Sequence, residues 1–132
     1  MEPTDEIFIN GIKFGTKVAI TEEDQQRGLM YQPWPPPVMV FPYQKASQRK
    51  FWMKNTISPL DIIFCRSNKI VKIVRGEPLS TAMVGPEEPS DFVIELPAGT
   101  CKEHNFQSGQ NIFFKPSVKS LAHILQAELV SF

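Results

Sequence analysis

The sequence predicts a mainly β fold, a small β-sandwich or barrel with two or three short helices packed at its edges, one of them C-terminal. Three observations lead there. Short runs rich in Val, Ile and Phe recur along the chain, with the length and composition of half-buried strands. Turn-forming residues separate these runs at intervals of roughly ten positions. Helix starts are few, and the clearest follow Thr21 and Ser117, two side chains able to cap a first turn.

Taken in order, Ile7-Phe8-Ile9 and Ile12-Lys13-Phe14 flank Asn10-Gly11, the pair that best supplies the two positive φ angles of a tight hairpin. Lys17 to Ile20 reads as a short strand leading to Thr21-Glu22-Glu23-Asp24, whose hydroxyl and three acids suit a helix N-terminus. That helix is expected to end near Gly28, with Leu29 and Met30 anchoring it. Pro33, Pro35, Pro36 and Pro37 around Trp34 exclude helix and central strand, so residues 31 to 37 read as a stiff connector or, alternatively, as a proline-rich ligand for a partner. Val38 to Phe41 reads as a buried strand and Pro42 to Lys50 as an exposed polar loop.

The stretch from Phe51 to Phe64 places two apolar strand-like runs around a polar turn ending in Pro59. Alternation puts Leu60, Ile62 and Phe64 on one face of the second run and Asp61 and Ile63 on the other. Ser67-Asn68-Lys69 then turns the chain into Ile70 to Val74, a hairpin expected in the middle of a sheet. Residues 76 to 91 hold glycine, proline and acids and read as a long surface loop. Phe92 to Leu96 resumes a strand and Pro97-Ala98-Gly99 stops it. Lys102 to Phe106 is expected to form a turn of helix, and Asn111 to Phe114 the last strand. Beyond Ser117, Val118, Leu121, Ala122, Leu125 and Leu129 recur at the spacing of one apolar helical stripe. The expected organisation is one β-rich domain over residues 1 to 116, with 117 to 132 a helix packed on it or on a partner.

The 132 residues, 42% hydrophobic and 21% charged, suit a single domain able to close its own core. Fourteen basic and fourteen acidic side chains balance to zero, so no overall field favours nucleic acid or an anionic membrane. Neither partner is expected, and the oligomeric state is not legible. The acidic N-terminus has no signal-like pattern and no run approaches the roughly 18 apolar residues of a membrane span, which predicts a soluble, cytoplasmic protein. Cys65 and Cys101 lie outside any CxxC or Cys/His ligand spacing, and His104 and His123 stand far apart. No metal or cofactor is expected.

Arg27-Gly28-Leu29-Met30, Phe51-Trp52-Met53-Lys54-Asn55-Thr56 with Pro59 to Phe64, Ile70 to Ile73 and Val93 to Gly99 follow one another as do the blocks of the DUF192 (UPF0127) family, which the chain resembles from about Val18 to Phe114. The resemblance implies a compact β-rich domain found mostly in bacteria, archaea and their phages, with no established activity. Three positions depart from the family pattern: Val38 stands for a glycine, Ser58 for an aliphatic residue, and Cys65-Arg66 for an aliphatic-aspartate pair. The helix after Ser117 extends past the usual family length.

Three functions compete. The first is a non-enzymatic binding module for a small polar ligand or an extended peptide. Its pocket would lie near residues 52 to 61, overhung by the loop 76 to 91, with Trp52, Lys54, Asn55, Thr56, Asp61 and Glu95 as contacts. The second is a hydrolase-like enzyme with Asp61 and Glu95 as acid and base, or Lys54 as an electrostatic clamp. The third is an accessory or structural protein acting through an oligomer contact. The plainer reading spends Asp61 on turn amides or Lys54 and pairs Glu95 with a lysine at the sheet surface. Lys45, Arg49, Lys50 and Lys54 interleaved with Phe51 and Trp52 could bind single strands, but neutral net charge favours an exposed basic loop.

Overall fold

The computed structural model of the protein describes residues 4 to 130, with the side chains of Leu129 and Val130 outside the description. Ten elements follow in order: β1 (Asp5–Ile9), β2 (Ile12–Val18), α1 (Glu22–Arg27), β3 (Met39–Ser47), β4 (Leu60–Arg66), β5 (Lys69–Gly76), β6 (Ser90–Pro97), α2 (Thr100–His104), β7 (Ile112–Lys115) and α3 (Val118–Val130). The strands form one curled sheet in the order β5-β4-β6-β3-β2-β1-β7, a half-barrel with three short helices. All neighbours are antiparallel except β2 and β3.

Local chemistry explains most of these elements. Asn10 and Gly11 take φ of 47° and 81° between β1 and β2, as a tight primed turn requires. Ser67 and Asn68 repeat the solution between β4 and β5 with φ of 51° and 63°. Thr21 Oγ1 accepts from the Asp24 amide at 3.1 Å, and Gly28 closes α1 at φ 48°. Ser117 Oγ accepts from the Ser120 amide at 3.1 Å to open α3.

The curl separates two apolar layers. Ile7, Ile9, Val40, Ile63, Cys65, Ile94, Leu96 and Ile112 meet inside it with Cys101 and Phe106 of the α2 region. Outside β3, β6 and β4, a second layer joins Phe41, Leu60, Ile62, Phe64 and Val93 to Ala19, Leu29 and Met53. Because β2 and β3 are parallel, the chain between them must cross over the sheet. That crossover carries α1 and Leu29 onto the outer layer. At one end the outer strands approach each other: the Ile70 amide donates to Gln110 O at 2.9 Å and the Ile112 amide to Asn68 O at 2.9 Å.

Four expectations need correction. The β4–β5 hairpin is not in the middle of the sheet, since β5 lies at the end of the strand order. The segment expected to be a loop from Pro42 continues β3 to Ser47, with a bulge between Pro42 and Ser47; β2 pairs only with Met39 and Val40, so the proline lies beyond that partner strand. Phe51 belongs to no strand and forms a single bridge with Val84, because hydrogen bonds to loop residues replace a ladder there. The chain from Ile12 to Val18 is one strand, without a break before Lys17. On α3, Val118, Leu121, Ala122 and Leu125 are exposed, and Leu129, the last member of that stripe, lies outside the described side chains.

Candidate functional site

The residues singled out from the sequence divide by the face of the sheet they leave. Register pairs Ile62 with Glu95 and Asp61 with Leu96. Neighbouring rungs point to opposite faces, so Glu95 joins the outer layer while Asp61 turns towards α2. The two carboxyls do not form a pair.

Asp61 is occupied by the backbone. It is 7% exposed, and its Oδ2 accepts from the amides of Gly99 and Cys101, each at 3.0 Å. The residue before α2 is glycine, which offers no capping side chain; Asp61 supplies that acceptor from another strand. Burial, then the charge and hydrogen bond of Asp61, push the Cys101 thiol up to about 12. Burial likewise holds the Cys65 thiol far above the ordinary thiol value. Neither free cysteine is a ready nucleophile.

The polar bend at 54 to 56 is largely committed to its own shape. Asn55 adopts φ 56° and its carbonyl accepts from the Tyr31 amide at 2.9 Å. Thr56 Oγ1 donates to Lys54 O at 3.2 Å, and the Thr56 carbonyl accepts from the Leu79 amide at 2.9 Å. Lys54 Nζ lies 5.2 Å from the centre of the Trp52 ring. Ser58 Oγ donates to Gln32 O at 2.9 Å, tying this segment to the proline connector.

Glu95, Trp52 and Thr56 meet instead at a cavity of about 320 Å³. β3 contributes Phe41 and Tyr43, α1 contributes Glu22, Gln25, Gln26 and Arg27, the turn after it contributes Gly28 to Met30, and Met83 reaches in from the loop before β6. Lys50 and Phe51 complete one wall. Lys54, Asn55 and Asp61 do not line it. Trp52 is 42% exposed and stands partly open to solvent, whereas Glu95 is 4% exposed. A β-carbon on Gly28 would lie 3.6 Å from Glu95 Oε1, which places the carboxyl beneath the end of α1.

Among the described residues, no hydrogen bond or ion pair holds the Glu95 carboxyl, and burial raises its pKa from 4.5 to about 8. This differs from the expected lysine pair at the sheet surface, because β6 is covered on both faces. Tyr43 is pushed up to about 12, chiefly by burial; Arg49 opposes that rise and Glu95 adds to it. The Arg49 guanidinium lies 3.4 Å from the centre of the Tyr43 ring, and its nitrogens donate to Ser90 O at 3.0 Å and Lys45 O at 2.6 Å. Much of the basic cluster is therefore spent within the protein. Tyr43 was hidden in the sequence by its assignment to a loop; its two-residue spacing from Phe41 is the signal that places both on one strand face.

A larger groove of about 1470 Å³ separates α3 from β2 and α1, with Thr16, Lys17, Asp24 and His123 among its walls. Among the described residues no group of three or more His, Cys, Asp or Glu is placed to hold a metal ion. None of the described helices is long and apolar enough to cross a membrane.

A curled β-sheet with an aromatic-walled cavity on its outer face, floored by a buried acid, defines the class of structure. The chain belongs to the DUF192 family, described as an uncharacterised ACR, whose pattern it matches over residues 6–114. A protein of unknown function from Novosphingobium aromaticivorans is similar in fold, with a TM-score of 0.75 and 24% identity over 82% of this chain and 83% of that one. A protein from Sinorhizobium meliloti, named as a candidate transcription regulator, has a TM-score of 0.77 and 29% identity over 86% of this chain and 96% of its own. No curated protein matches.

Two outcomes separate the acids. Replacing Asp61 by Ala leaves two amides without their acceptor and should lower the unfolding free energy by about 1–3 kcal/mol, read by urea denaturation; an unchanged midpoint would remove its capping role. Glu95 acts through pH. The folded protein keeps a proton that the unfolded chain gives up near 4.5, so this group's contribution to stability is full below that pH, declines as pH rises to about 8, and is constant above it. Glu95→Gln lacks this dependence. Its stability relative to the natural chain should grow by up to about 1.4 kcal/mol per pH unit across that window; a pH-independent difference would contradict the assignment.

Proposed function

We propose that the protein is a non-enzymatic binding module whose small polar ligand enters the cavity between α1, Trp52 and the β3–β6 floor. One observation carries this reading: Glu95 presents an otherwise unbonded carboxyl to a space walled by Phe41, Tyr43, Phe51 and Trp52. Aromatic walls beside convergent polar groups, here Glu95 on the floor with Glu22, Gln25, Gln26, Arg27, Lys50 and Thr56 around the rim, are the usual composition of a small-molecule site. The volume, near the lower end for such sites, favours a compact molecule or a single side chain over a long peptide.

The hydrolase reading has less support. An acid and a base must reach the same substrate, whereas Asp61 and Glu95 leave opposite faces and Asp61 holds two amides. Binding needs only the cavity. In a Trp34→Phe background, which leaves Trp52 as the sole indole, titration with a panel of small polar compounds should change the fluorescence in a saturable way. Glu95→Gln should weaken the responding compound by about tenfold or more, the effect of losing roughly 1.4 kcal/mol. No response across the panel, or equal affinity in the variant, would contradict the proposal.

A further inference from the structure

We propose that the cavity selects a small organic cation, an amine on an apolar body, whose ammonium group pairs with the Glu95 carboxylate. This rests on the binding reading above and adds the chemical class of the ligand. The argument follows from where the nearby charges are committed. From α1, Glu22 and Arg27 border the cavity; from β3, Tyr43; from the segment before Phe51, Lys50. On β4, the residue opposite Glu95 is the apolar Ile62.

Both bordering cations already have partners. Arg27 bonds Asp24 at 2.6 Å and lies 4.0 Å from Glu23. Lys50 Nζ donates to Gly85 O at 2.7 Å and lies 3.4 Å from Glu87. Arg49, the cation over the Tyr43 ring, is held by Ser90 O and Lys45 O. Glu95 has no such counter-charge. An anionic ligand would have to compete for cations that already have acid partners and would sit beside Glu95 and Glu22. An ammonium ion meets a carboxyl that no protein cation holds, and aromatic side chains able to cover its apolar body.

The pairing moves one proton. Free Glu95, held up at about 8 by burial, carries a proton at neutral pH. The ammonium ligand displaces that proton to the buffer and leaves a carboxylate–ammonium pair. Ligand and proton therefore compete below about pH 8, and affinity should rise about tenfold per pH unit towards that value and then level off while the amine remains charged.

The probes are 2-phenylethylammonium, its neutral counterpart 2-phenylethanol, and the anion 3-phenylpropanoate, titrated into the whole protein while the Trp52 indole N–H is followed by NMR. The ammonium probe should bind at least about tenfold more tightly than the alcohol near pH 8 and show the proton-linked rise from about pH 6. Glu95→Gln should remove both the preference and the rise. If that variant does not fold, the pH dependence of the natural chain decides alone. Equal or tighter binding of the alcohol or the anion, or a flat pH profile, overturns the cation assignment while leaving the cavity as a binding site. An indole unmoved by all three probes removes the binding reading and this inference together.

Discussion

β6 is hydrogen-bonded to β3 on one side and β4 on the other, and residues 92 to 96 are buried. Its side chains consequently have two destinations, the layer inside the curl or the layer beneath α1. Phe92, Ile94 and Leu96 fill the first, and Val93 joins the second. Glu95 must follow Val93, because a strand gives alternate residues the same face. Pairing thus forces an ionisable group into a site where its charge is costly.

The protein treats its two buried acids differently. Asp61 meets two backbone amides and becomes part of the scaffold that starts α2. Glu95 receives no comparable partner among the described residues, so protonation rather than pairing limits the cost of burying it. A nearly buried carboxyl with a strongly raised pKa, facing a cavity, is a feature that concentrates where proteins meet ligands. Its neighbours reinforce the point, because the nearby arginines and Lys50 are held by Asp24, Glu87 and backbone carbonyls.

Much of this was legible in the chain. Asn10-Gly11 and Ser67-Asn68 announced their hairpins, Thr21 and Gly28 bounded α1, and the alternation of residues 60 to 64 assigned the faces of β4. The need of Asp61 for a partner also followed from its apolar neighbours. What stayed hidden depends on contacts distant in sequence. Only register sets Asp61 and Glu95 back to back, and register comes from pairing β4 with β6 across the intervening hairpin and loop. Pro42 concealed the continuation of β3, and with it Tyr43, because a proline ordinarily argues against a central strand. Gly28 showed its role as a helix stop, but its position above Glu95 depends on the crossover between parallel β2 and β3. The exposed apolar stripe on α3 shows the same division: periodicity gave the stripe, whereas its covering is a matter of tertiary structure.

The most direct measurement is a pH titration of the Glu95 side-chain carboxyl by carbon-13 NMR in the free protein, with Glu95→Gln used to assign the signal. A midpoint near 8, several units above an exposed glutamate, is the result expected for a desolvated carboxyl lacking a protein partner. A midpoint at or below 4.5 would mean that the acid is solvated or paired, and the proposed site would lose its basis.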